Sequence, residues 1–532
     1  MLVESVRIRG KPRQRVVANL GRADRLDPAR IDEMVKALSP YTQSTLVLEP
    51  HDPDETQGYA DGRVLGPLPV LERLWQHLGI GPLLERQNPT AMPLEAAAFA
   101  MVAARFIKPL SKRATFRNFL SSVYWPRGEG LSLHHLYRAL DLLTEVKEPL
   151  EAALWARTRT LFSPPLDLVL MDTTNTYVQG VTRGRLAQFG HSKDKRFDRR
   201  LISVGVLVTR DGVPIGHEVL PGNTHDAKAF REMLQTLRRR VDLGRVILCA
   251  DRGMVTEEIL TALRESGVEY VVGAKLTLKA EAALSYRGAR WEEVPDLAPL
   301  RIKACTVGGE TYVVCLSPEE EVHDRKRRQE IVARLKEALE KNPSGSSLLR
   351  NSLFRPYVEV VGKAVRLSEE AIARQARLDG KYILRANTQL ESSEIARVYR
   401  QLWRVERAFR EVKGPFQLRP LRHFVDRRIR GHVMVCFLAY ALEMAIRQGM
   451  AKVKAEGGEA GVAQEADYHQ VMEDLSRLTV ATLVSGGRRY VVRSPLRGRA
   501  YEAFAAAAMR PPPRVLEAPP NDPLGKGEGQ RT

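Results

Sequence analysis

The chain has 532 residues, of which 44% are hydrophobic, so it is long enough for several domains with buried cores. Lysine and arginine outnumber aspartate and glutamate by 83 to 64, which gives a net charge of +19. No apolar run is long enough to cross a bilayer, and the first residues lack the layout of a signal peptide. We therefore expect a cytoplasmic protein without membrane contact that binds a polyanion, first of all nucleic acid. The alternative is a general arginine bias of the proteome.

The N-terminal third is predicted to be basic and largely helical. Residues 3–20 form a predicted β-hairpin that turns at Gly10. Apolar spacing predicts four helices, over Leu68–Leu78, Leu94–Ile107, Leu133–Thr144 and Glu148–Leu161. Ser132 is the predicted N-cap of the third helix. Basic residues on and between these helices are compatible with a helix-turn-helix-like DNA reader, and the spacing fits a plain helical bundle equally well.

Beyond Pro165 the pattern changes to short apolar runs that alternate with helical segments. Two runs, Leu201–Thr209 and Val213–Leu220, flank an Asp-Gly dipeptide and predict a hairpin. The other predicted strands are Leu166–Met171, Val246–Ala250 and Tyr270–Ala274, with helices over 226–240 and 256–266 between them. The order β, β, β, α, β, α, β predicts an α/β core.

Residues 276–380 interrupt this order with short strand-like runs and one charged helix, over about 319–341. We interpret them as an inserted, strand-rich subdomain. The order resumes with a strand at Lys381–Ala386, followed by a long helix over 392–413 that Gly414 and Pro415 end. A second helix is predicted over about 431–448.

These changes divide the chain into seven predicted regions. They are a basic hairpin with its linker (1–60), a helical region that is a candidate for DNA binding (61–163), the first part of the core (164–275), the insertion (276–380), the second part of the core (381–450), a C-terminal region (451–509) and a disordered tail rich in proline and glycine (510–532).

Two aspartates directly follow predicted buried strands. Asp172 comes after the strand that ends at Met171, and Asp251 comes after the strand that ends at Ala250. Ligands of open α/β sheets gather at such strand ends, and neighbouring strands lie about 5 Å apart. Carboxylates placed in this way can share divalent cations, which suits the cleavage of a phosphodiester. For either aspartate alone, capping of a turn or helix is the simpler alternative.

The predicted helix over 392–413 supplies a third carboxylate. Its apolar residues recur at alternating steps of three and four and form one buried stripe. Tyr399, Glu406 and Lys413 lie seven residues apart along the margin of that stripe, from which Glu406 can meet both aspartates. A second line of basic residues is predicted on a more exposed face: Arg397, Arg400, Arg404 and Arg407. This line is suited to a phosphate backbone or, alternatively, to ion pairs with Glu394 or Glu411 in solvent.

The segment around Glu406 resembles the Tyr-x2-Arg-x3-Glu-x6-Lys signature of one branch of the DDE transposases of bacterial insertion sequences. Tyr399, Glu406 and Lys413 match that signature. Its arginine position holds Leu402, and Arg404, two residues further on, is the candidate replacement. Other stretches resemble the same family in the same order: residues 10–21, 171–174, 190–195, 222–226, 250–254 and 379–382. The resemblance covers roughly residues 1–450.

The resemblance implies a ribonuclease-H-like fold, with a mixed-sheet catalytic core that the insertion interrupts before the Glu406 helix. It implies that Asp172, Asp251 and Glu406 are catalytic and bind Mg²⁺ or Mn²⁺, with two ions expected. The activity implied is cleavage of DNA at the ends of the element, followed by attack of the freed 3′-hydroxyl on target DNA. The partners implied are double-stranded DNA and further copies of the chain, in a homodimer or larger synaptic multimer at the nucleoid.

Several residues besides the carboxylates are candidates for DNA binding. A phenol and an ammonium are good donors to phosphate, so Tyr399 and Lys413 are expected to hold phosphates near the cut. The other candidates are basic residues: Arg400, Arg404, Arg407, Lys193, Lys195 and Arg196. Two alternatives stay open, a transposase-derived protein that binds DNA without cutting it and a non-mobile nuclease on the same core.

Overall fold

A computed structural model of the protein describes most of the chain. The described residues are 2–8, 11–18, 58–158, 166–180, 182–193, 196–240, 245–275, 277–341, 348–362, 364–456, 465–485 and 488–517. Backbone contacts divide the chain into two compact units. The larger unit comprises Leu71–Leu120 and Pro126–Lys452, and the smaller comprises Met1–Val70, Ser121–Trp125 and Val453–Thr532.

The N-terminal part forms three strands and then a series of helices. The strands are β1 (Leu2–Ile8), β2 (Lys11–Ala18) and β3 (Gly58–Val64). The helices are α1 (Leu68–His77), α2 (Ile80–Arg86), α3 (Leu94–Ile107), α4 (Leu133–Glu145) and α5 (Lys147–Thr158), with short helical turns between α3 and α4. Antiparallel pairing of β1 with β2 confirms the predicted hairpin, and the four predicted helices are present. Ser132 caps α4, because its hydroxyl accepts a hydrogen bond from the N–H of His135.

The next elements follow the predicted order of strands and helices. They are β4 (Leu166–Tyr177), β5 (Leu201–Thr209), β6 (Pro214–Pro221), α6 (Asp226–Arg240), β7 (Arg245–Ala250), α7 (Glu257–Glu265) and β8 (Glu269–Gly273). Strands β4, β5 and β6 are antiparallel neighbours, whereas β7 and β8 continue the sheet in parallel to β4. Apolar side chains such as Phe230 of α6 and Ile259 of α7 pack with Met171 of β4 in one buried cluster. The sheet is therefore mixed, as expected.

Asp172 lies within β4 and not at its end. The prediction that the strand ends at Met171 is wrong, because β5 pairs with β4 as far as Tyr177. Strand β7 is shorter, and its last residue, Ala250, is the parallel partner of Met171. Asp251 follows Ala250 at once, so the two aspartates occupy adjacent positions where the shorter strand ends.

Residues 277–386 add four strands to the same sheet. The elements are α8 (Leu278–Ser285), β9 (Glu292–Glu293), β10 (Arg301–Val307), β11 (Glu310–Leu316), α9 (Pro318–Lys341), β12 (Val358–Val361), β13 (Ala364–Leu367), α10 (Glu369–Ala376) and β14 (Lys381–Ala386). The nine-stranded order is β6-β5-β4-β7-β8-β14-β11-β10-β9. Because β14 pairs with β8 and β11 pairs with β14, three strands of the predicted insertion extend the central sheet. Only β12 and β13 form a separate two-stranded sheet within this segment.

The predicted helix over 392–413 is two helices, α11 (Ser392–Arg400) and α12 (Trp403–Lys413). At the join, the N–H groups of Gln401 and Leu402 donate to carbonyls three residues earlier, which tightens the turn. The prediction of one continuous helix is wrong for this reason, and no glycine or proline marks the break in the sequence. The chain then enters α13 (Asp426–Glu456), which is longer than predicted.

Helix α13 is the main buried helix of the larger unit. It is long and apolar enough to cross a membrane by composition, but 89% of its most apolar window is buried inside the protein, as in a core helix. A glycine allows close packing on α4, because a Cβ atom added at Gly431 would lie 2.1 Å from the carbonyl oxygen of Leu140. The helix therefore needs glycine at this position.

The C-terminal part completes the smaller unit. Its elements are α14 (Glu465–Ser476), β15 (Thr479–Ser485), β16 (Arg488–Arg493), α15 (Ala500–Ala506) and β17 (Val515–Glu517). A four-stranded sheet has the order β17-β16-β15-β3. The prediction of a disordered tail from residue 510 is wrong for residues 510–517, because Val515 pairs with Val492 and the N–H of Arg493 donates to the carbonyl of Arg514. Residues 518–532 lie outside the described part of the chain.

Replacement of Gly431 by alanine is expected to lower the melting temperature. Alanine favours a helix by about 1 kcal/mol over glycine, but forcing a methyl group against the Leu140 carbonyl costs roughly 1–3 kcal/mol or more. Thermal unfolding followed by circular dichroism measures the balance. Gly62→Ala is the control, because a Cβ atom there meets nothing within 4 Å. A melting temperature for Gly431→Ala at or above that of the wild type would contradict the packing argument.

Candidate active site

A cleft of about 730 Å³ lies beside β4 and β7, with the join between α11 and α12 as another wall. Its lining residues are Asp172, Lys193, Asp251, Leu297, Tyr382, Tyr399, Arg400, Gln401, Leu402, Trp403 and Glu406. The three carboxylates singled out from the sequence thus line a single cleft, although they come from a strand, a turn and a helix far apart in the chain. Parallel pairing of β4 and β7 brings the first two together, and α12 carries the third.

Asp172 is the most buried of the three carboxylates. Burial raises its pKa to about 6, and the negative charges of Asp251 and Asp226 act in the same direction. The Lys193 ammonium and a hydrogen bond from the N–H of Thr173 oppose this shift. Asp251 and Glu406, in contrast, are exposed to solvent. A cation in the cleft would favour the ionised form of Asp172, since it would offset the repulsion among these carboxylates.

Thr173 connects Asp172 to two further charged groups. Its N–H donates to Oδ1 of Asp172 at 2.6 Å, and its hydroxyl donates to Oδ1 of Asp226 at 2.8 Å. Its carbonyl accepts a hydrogen bond from Nζ of Lys193 at 2.7 Å. The buried side chain of Asn175 holds the backbone around Lys193. It accepts a hydrogen bond from the N–H of Lys193 and donates one to the carbonyl of His191. Lys193 is therefore held beside Asp172 in the cleft.

Tyr399 contacts a carboxylate in this structure. Its hydroxyl donates to Oδ1 of Asp251 at 3.0 Å, and burial raises the pKa of the phenol, which keeps it protonated. The ring stacks on Tyr382 with centroids 5.8 Å apart. The backbone of Gly273 lies against the hydroxyl, because a Cβ atom there would be 2.8 Å from it. In this structure Tyr399 therefore contacts Asp251, and its expected contact with a DNA phosphate stays a prediction.

The four arginines predicted to form one exposed line do not do so, because the helix is interrupted at the join between α11 and α12. Arg400 alone of the four is exposed and lines the cleft. Arg397 pairs with Glu394 and Asp296, as the alternative interpretation expected. Arg404 donates to Gln401 and stacks over Trp403, outside the cleft lining. Arg407 is half-buried on the side of α13, where its positive charge opposes the rise in the pKa of Glu443 that burial causes. The phase shift at the join separates these side chains.

The remaining predicted DNA contacts have different positions. Lys413 is half-buried and does not line the cleft. Arg196 pairs with Asp198 and lies over the ring of Tyr177 at 5.0 Å. Lys195 lies outside the described residues. Of the basic residues predicted to contact DNA, Lys193 and Arg400 are therefore the two that the described structure brings into the cleft.

The cleft offers oxygen ligands and, among its lining residues, neither histidine nor cysteine. Such a set fits a hard cation such as Mg²⁺ or Mn²⁺. In the described part of the chain, three potential ligand atoms lie within 4.8 Å of one another only at Glu320, His323 and Asp324 on α9. The oxygens of the cleft carboxylates must therefore approach one another before all three can share one ion.

Several lining residues were not identified from the sequence. Trp403 is 47% exposed at the start of α12, and Tyr382 comes from β14. Leu297 comes from the predicted insertion. A large aromatic residue on the polar side of a helix is a signal that could have indicated Trp403. The positions of Tyr382 and Leu297 depend on how the central sheet extends. Residues 379–382 resemble a family motif, but that resemblance does not indicate that Tyr382 lines the cleft.

Two models of known families match the chain. The family model described as a transposase DDE domain matches residues 163–442, which is more than half of the chain. A second model, described as the N-terminal domain of IS1634 family transposases, matches residues 1–50. No curated protein matches the chain. The first match begins just before β4 and ends within α13, so it contains all three carboxylates of the cleft.

Tyr399→Phe is expected to weaken the binding of Mn²⁺ and to leave the affinity for DNA unchanged. The ring and its stacking remain, but Asp251 loses a hydrogen bond worth about 0.5–1.5 kcal/mol, which predicts a dissociation constant about threefold to tenfold higher. Isothermal titration calorimetry measures the metal affinity, and fluorescence anisotropy measures the DNA affinity. Tyr382→Phe is the control, because it removes a neighbouring phenol that does not contact Asp251. Weaker DNA binding with unchanged metal binding would instead make Tyr399 a phosphate ligand.

Proposed function

The chain belongs to the family of transposases with a DDE domain, and we propose that it moves an insertion sequence by cutting DNA at the element's ends and joining them to target DNA. The observation that carries this proposal is the meeting of Asp172, Asp251 and Glu406 in one cleft within the matched region. The net charge of +19 supports double-stranded DNA as the partner. We regard the segment from Tyr399 to Lys413 as the family's signature, with Leu402 in place of its arginine.

Asp172, Asp251 and Glu406 are the residues that would hold Mg²⁺ or Mn²⁺. Two such ions, when bound, supply an activated oxygen nucleophile and stabilise the leaving oxygen of an in-line displacement. Tyr399 keeps Asp251 in one orientation through its 3.0 Å hydrogen bond. Lys193 holds positive charge beside Asp172, where the phosphate must come to rest.

Two successive displacements follow from this arrangement. In the first, water attacks the phosphodiester at the element's end and a 3′-hydroxyl leaves. In the second, that 3′-hydroxyl attacks a phosphodiester of the target DNA, and the target strand's own 3′-hydroxyl leaves. Arg400, exposed at the cleft wall, binds the phosphate backbone in both steps. No covalent link between protein and DNA is required, because each bond that breaks is replaced by a bond to the attacking oxygen.

The wider assembly is also part of the proposal. We assign β4 to β8, with α6 and α7, to a ribonuclease-H-like core, which the antiparallel β4–β5–β6 strands and the parallel β7 and β8 support. Two element ends must be joined to one target, so we propose a homodimer or larger synaptic multimer at the nucleoid. The basic N-terminal hairpin and the helical region over 61–163 are the proposed reader of the element's ends.

Asp172→Asn, Asp251→Asn and Glu406→Gln are each expected to reduce cleavage of DNA carrying the element's ends by roughly a hundredfold or more. Each variant removes a ligand whose bound ion supplies several kcal/mol of transition-state stabilisation. Gel analysis of end-labelled DNA in Mn²⁺ measures cleavage, and pre-cut ends measure joining separately. Glu391→Gln, on an exposed residue before α11, is the control. Full activity in any folded variant would overturn the assignment, and cleavage without joining by the wild type would indicate a non-mobile nuclease.

Arg400→Ala and Arg404→Ala form a matched pair within one helix turn of the join. Arg400 lines the cleft, whereas Arg404 packs on Trp403 and Gln401, so only the first is expected to weaken cleavage. Loss of a phosphate contact predicts about a tenfold decrease in the rate at subsaturating DNA, with a smaller dependence of DNA affinity on salt. Steady-state cleavage and anisotropy at several salt concentrations measure both. The reverse order of effects would make Arg404 the replacement for the signature arginine.

A further inference from the structure

Three phenylalanines outside the cleft are unusually exposed. The side chains of Phe189, Phe197 and Phe424 are 60%, 65% and 62% exposed, respectively. Single exposed apolar residues are common, whereas a group of them at one place on a protein usually marks a binding site. All three belong to the larger unit and to segments that flank the C-terminal end of β4.

Backbone hydrogen bonds bring these segments together. The N–H of Val178 donates to the carbonyl of Arg200, and the N–H of Gln179 donates to the carbonyl of Leu421, both at 2.8 Å. The N–H of Arg183 donates to the carbonyl of Phe424 at 2.8 Å. Phe189 is placed by its neighbour Gln188, whose N–H and carbonyl both pair with Leu201 at the start of β5. Val178 and Gln179, which directly follow β4, thus connect the segments on its two sides.

The segment is anchored to α13 as well. The carboxylate of Asp426, in the first turn of α13, accepts hydrogen bonds from the N–H groups of Arg185 and Leu186. Gly184 permits this approach, because a Cβ atom there would lie 1.8 Å from Oδ1 of Asp426. Hydrogen bonds therefore hold the backbone next to Phe189 and Phe424 in place.

Guanidinium groups accompany the phenyl rings. Arg200 lies over the ring of Phe189 at 5.6 Å from its centroid. Arg183, which pairs with Phe424 through the backbone, is exposed, and so is Arg422, whose Nε donates to the side chain of Gln179. A phenyl ring has no group that can bind phosphate, but its face can stack on a base that is not paired. Arginines between such rings supply the contacts to the phosphates.

We propose that this Phe–Arg surface (Phe189, Phe197, Phe424, Arg183, Arg200 and Arg422) binds an unpaired strand of DNA that leaves the cleft. The inference rests on the proposed function and adds a second, non-catalytic DNA site to it. A fully paired duplex does not present its base faces, so the rings have a partner only where strands are separated. Tyr177 lies five residues beyond Asp172 on β4, which is about 17 Å along the strand, the length of about five base-pair steps of the duplex that precedes the unpaired strand. The unpaired bases that reach this surface are those about five positions from the scissile phosphate.

The test compares a forked DNA, with unpaired bases at that distance from the cut, with a blunt duplex of the same sequence. Fluorescence anisotropy in Ca²⁺ measures binding by the full chain without cleavage. The variant Phe189→Ala, Phe197→Ala, Phe424→Ala is expected to bind the fork at least about tenfold more weakly and the blunt duplex with unchanged affinity, since loss of one stacking ring alone predicts about tenfold. The control variant Leu278→Ala, Tyr286→Ala, Val322→Ala removes three other exposed large side chains elsewhere in the larger unit. It is expected to bind both DNAs like the wild type.

Photo-crosslinking locates the contact. 5-Iododeoxyuridine placed about five nucleotides from the scissile phosphate is expected to crosslink to one of the three phenylalanines, as identified by mass spectrometry of the wild type. Equal losses for fork and duplex, or no loss for either, would overturn the proposal. A changed sedimentation coefficient of the variant without DNA, together with unchanged fork binding, would assign the surface to contacts between copies of the chain.

The outcome is independent of catalysis. If the wild type cleaves DNA but the variant binds the fork normally, the Phe–Arg surface is refuted and the proposed function stands. If the wild type prefers the fork and the variant loses that preference, but no cleavage occurs in Mn²⁺, the surface stands and the transposase activity is refuted. Measurement of cleavage by the same preparations therefore separates the two.

Discussion

The parallel pairing of β4 with β7 is the constraint on which the candidate site depends. In this register Met171 is opposite Ala250, so the next residues, Asp172 and Asp251, become neighbours. Slippage by one residue would direct one carboxylate to the other face of the sheet. The register is held by apolar residues of both strands, since Val169, Met171 and Leu248 are buried in the cluster that packs α6 and α7 onto the sheet. Hydrophobic packing thus places two negative charges side by side, an arrangement that is unfavourable until a cation or a proton shares the space between them.

The third carboxylate depends on a different interaction, the packing of α12 against β4 and β5. Its apolar residues Val405 and Phe409 are buried, and so is Glu411 on the same helix. In α13, Nε of Arg447 lies 2.6 Å from Glu443, and burial raises the pKa of Glu443 to about 7, with Glu411 acting in the same direction. Removing one member of this buried charged group would leave its partners unpaired, at a high cost in free energy. The group therefore favours one orientation of α12 about its own axis. That orientation turns Glu406 toward the cleft and Arg407 toward α13.

The charged surroundings of the site divide into two kinds. Tyr399 contacts Asp251, and Lys193 contacts the backbone of Thr173 next to Asp172, so both help to shape the cleft around these carboxylates. Arg400 and Trp403 are exposed at the wall of the cleft, where a nucleic acid bound in the cleft could reach them. The Phe–Arg surface at the end of β4 adds further exposed aromatic and basic residues outside the cleft. The same strand thus carries a proposed catalytic carboxylate in its middle and leads, at its end, to the proposed second binding surface.

The sequence by itself determined the elements, the candidate carboxylates and the family, because periodicity, strand-ending aspartates and motif order are local properties of the chain. It predicted the bounds of β5 and α3 correctly, yet it placed Asp172 at a strand end and joined α11 to α12. Strand pairing and helix junctions involve partners far away in the chain, so only the tertiary structure decided that β4 continues past Asp172 and that Arg400 and Arg404 point to different surroundings. The same holds for Tyr399, whose hydroxyl donates to Asp251, 148 residues earlier in the chain, a contact that no local pattern encodes.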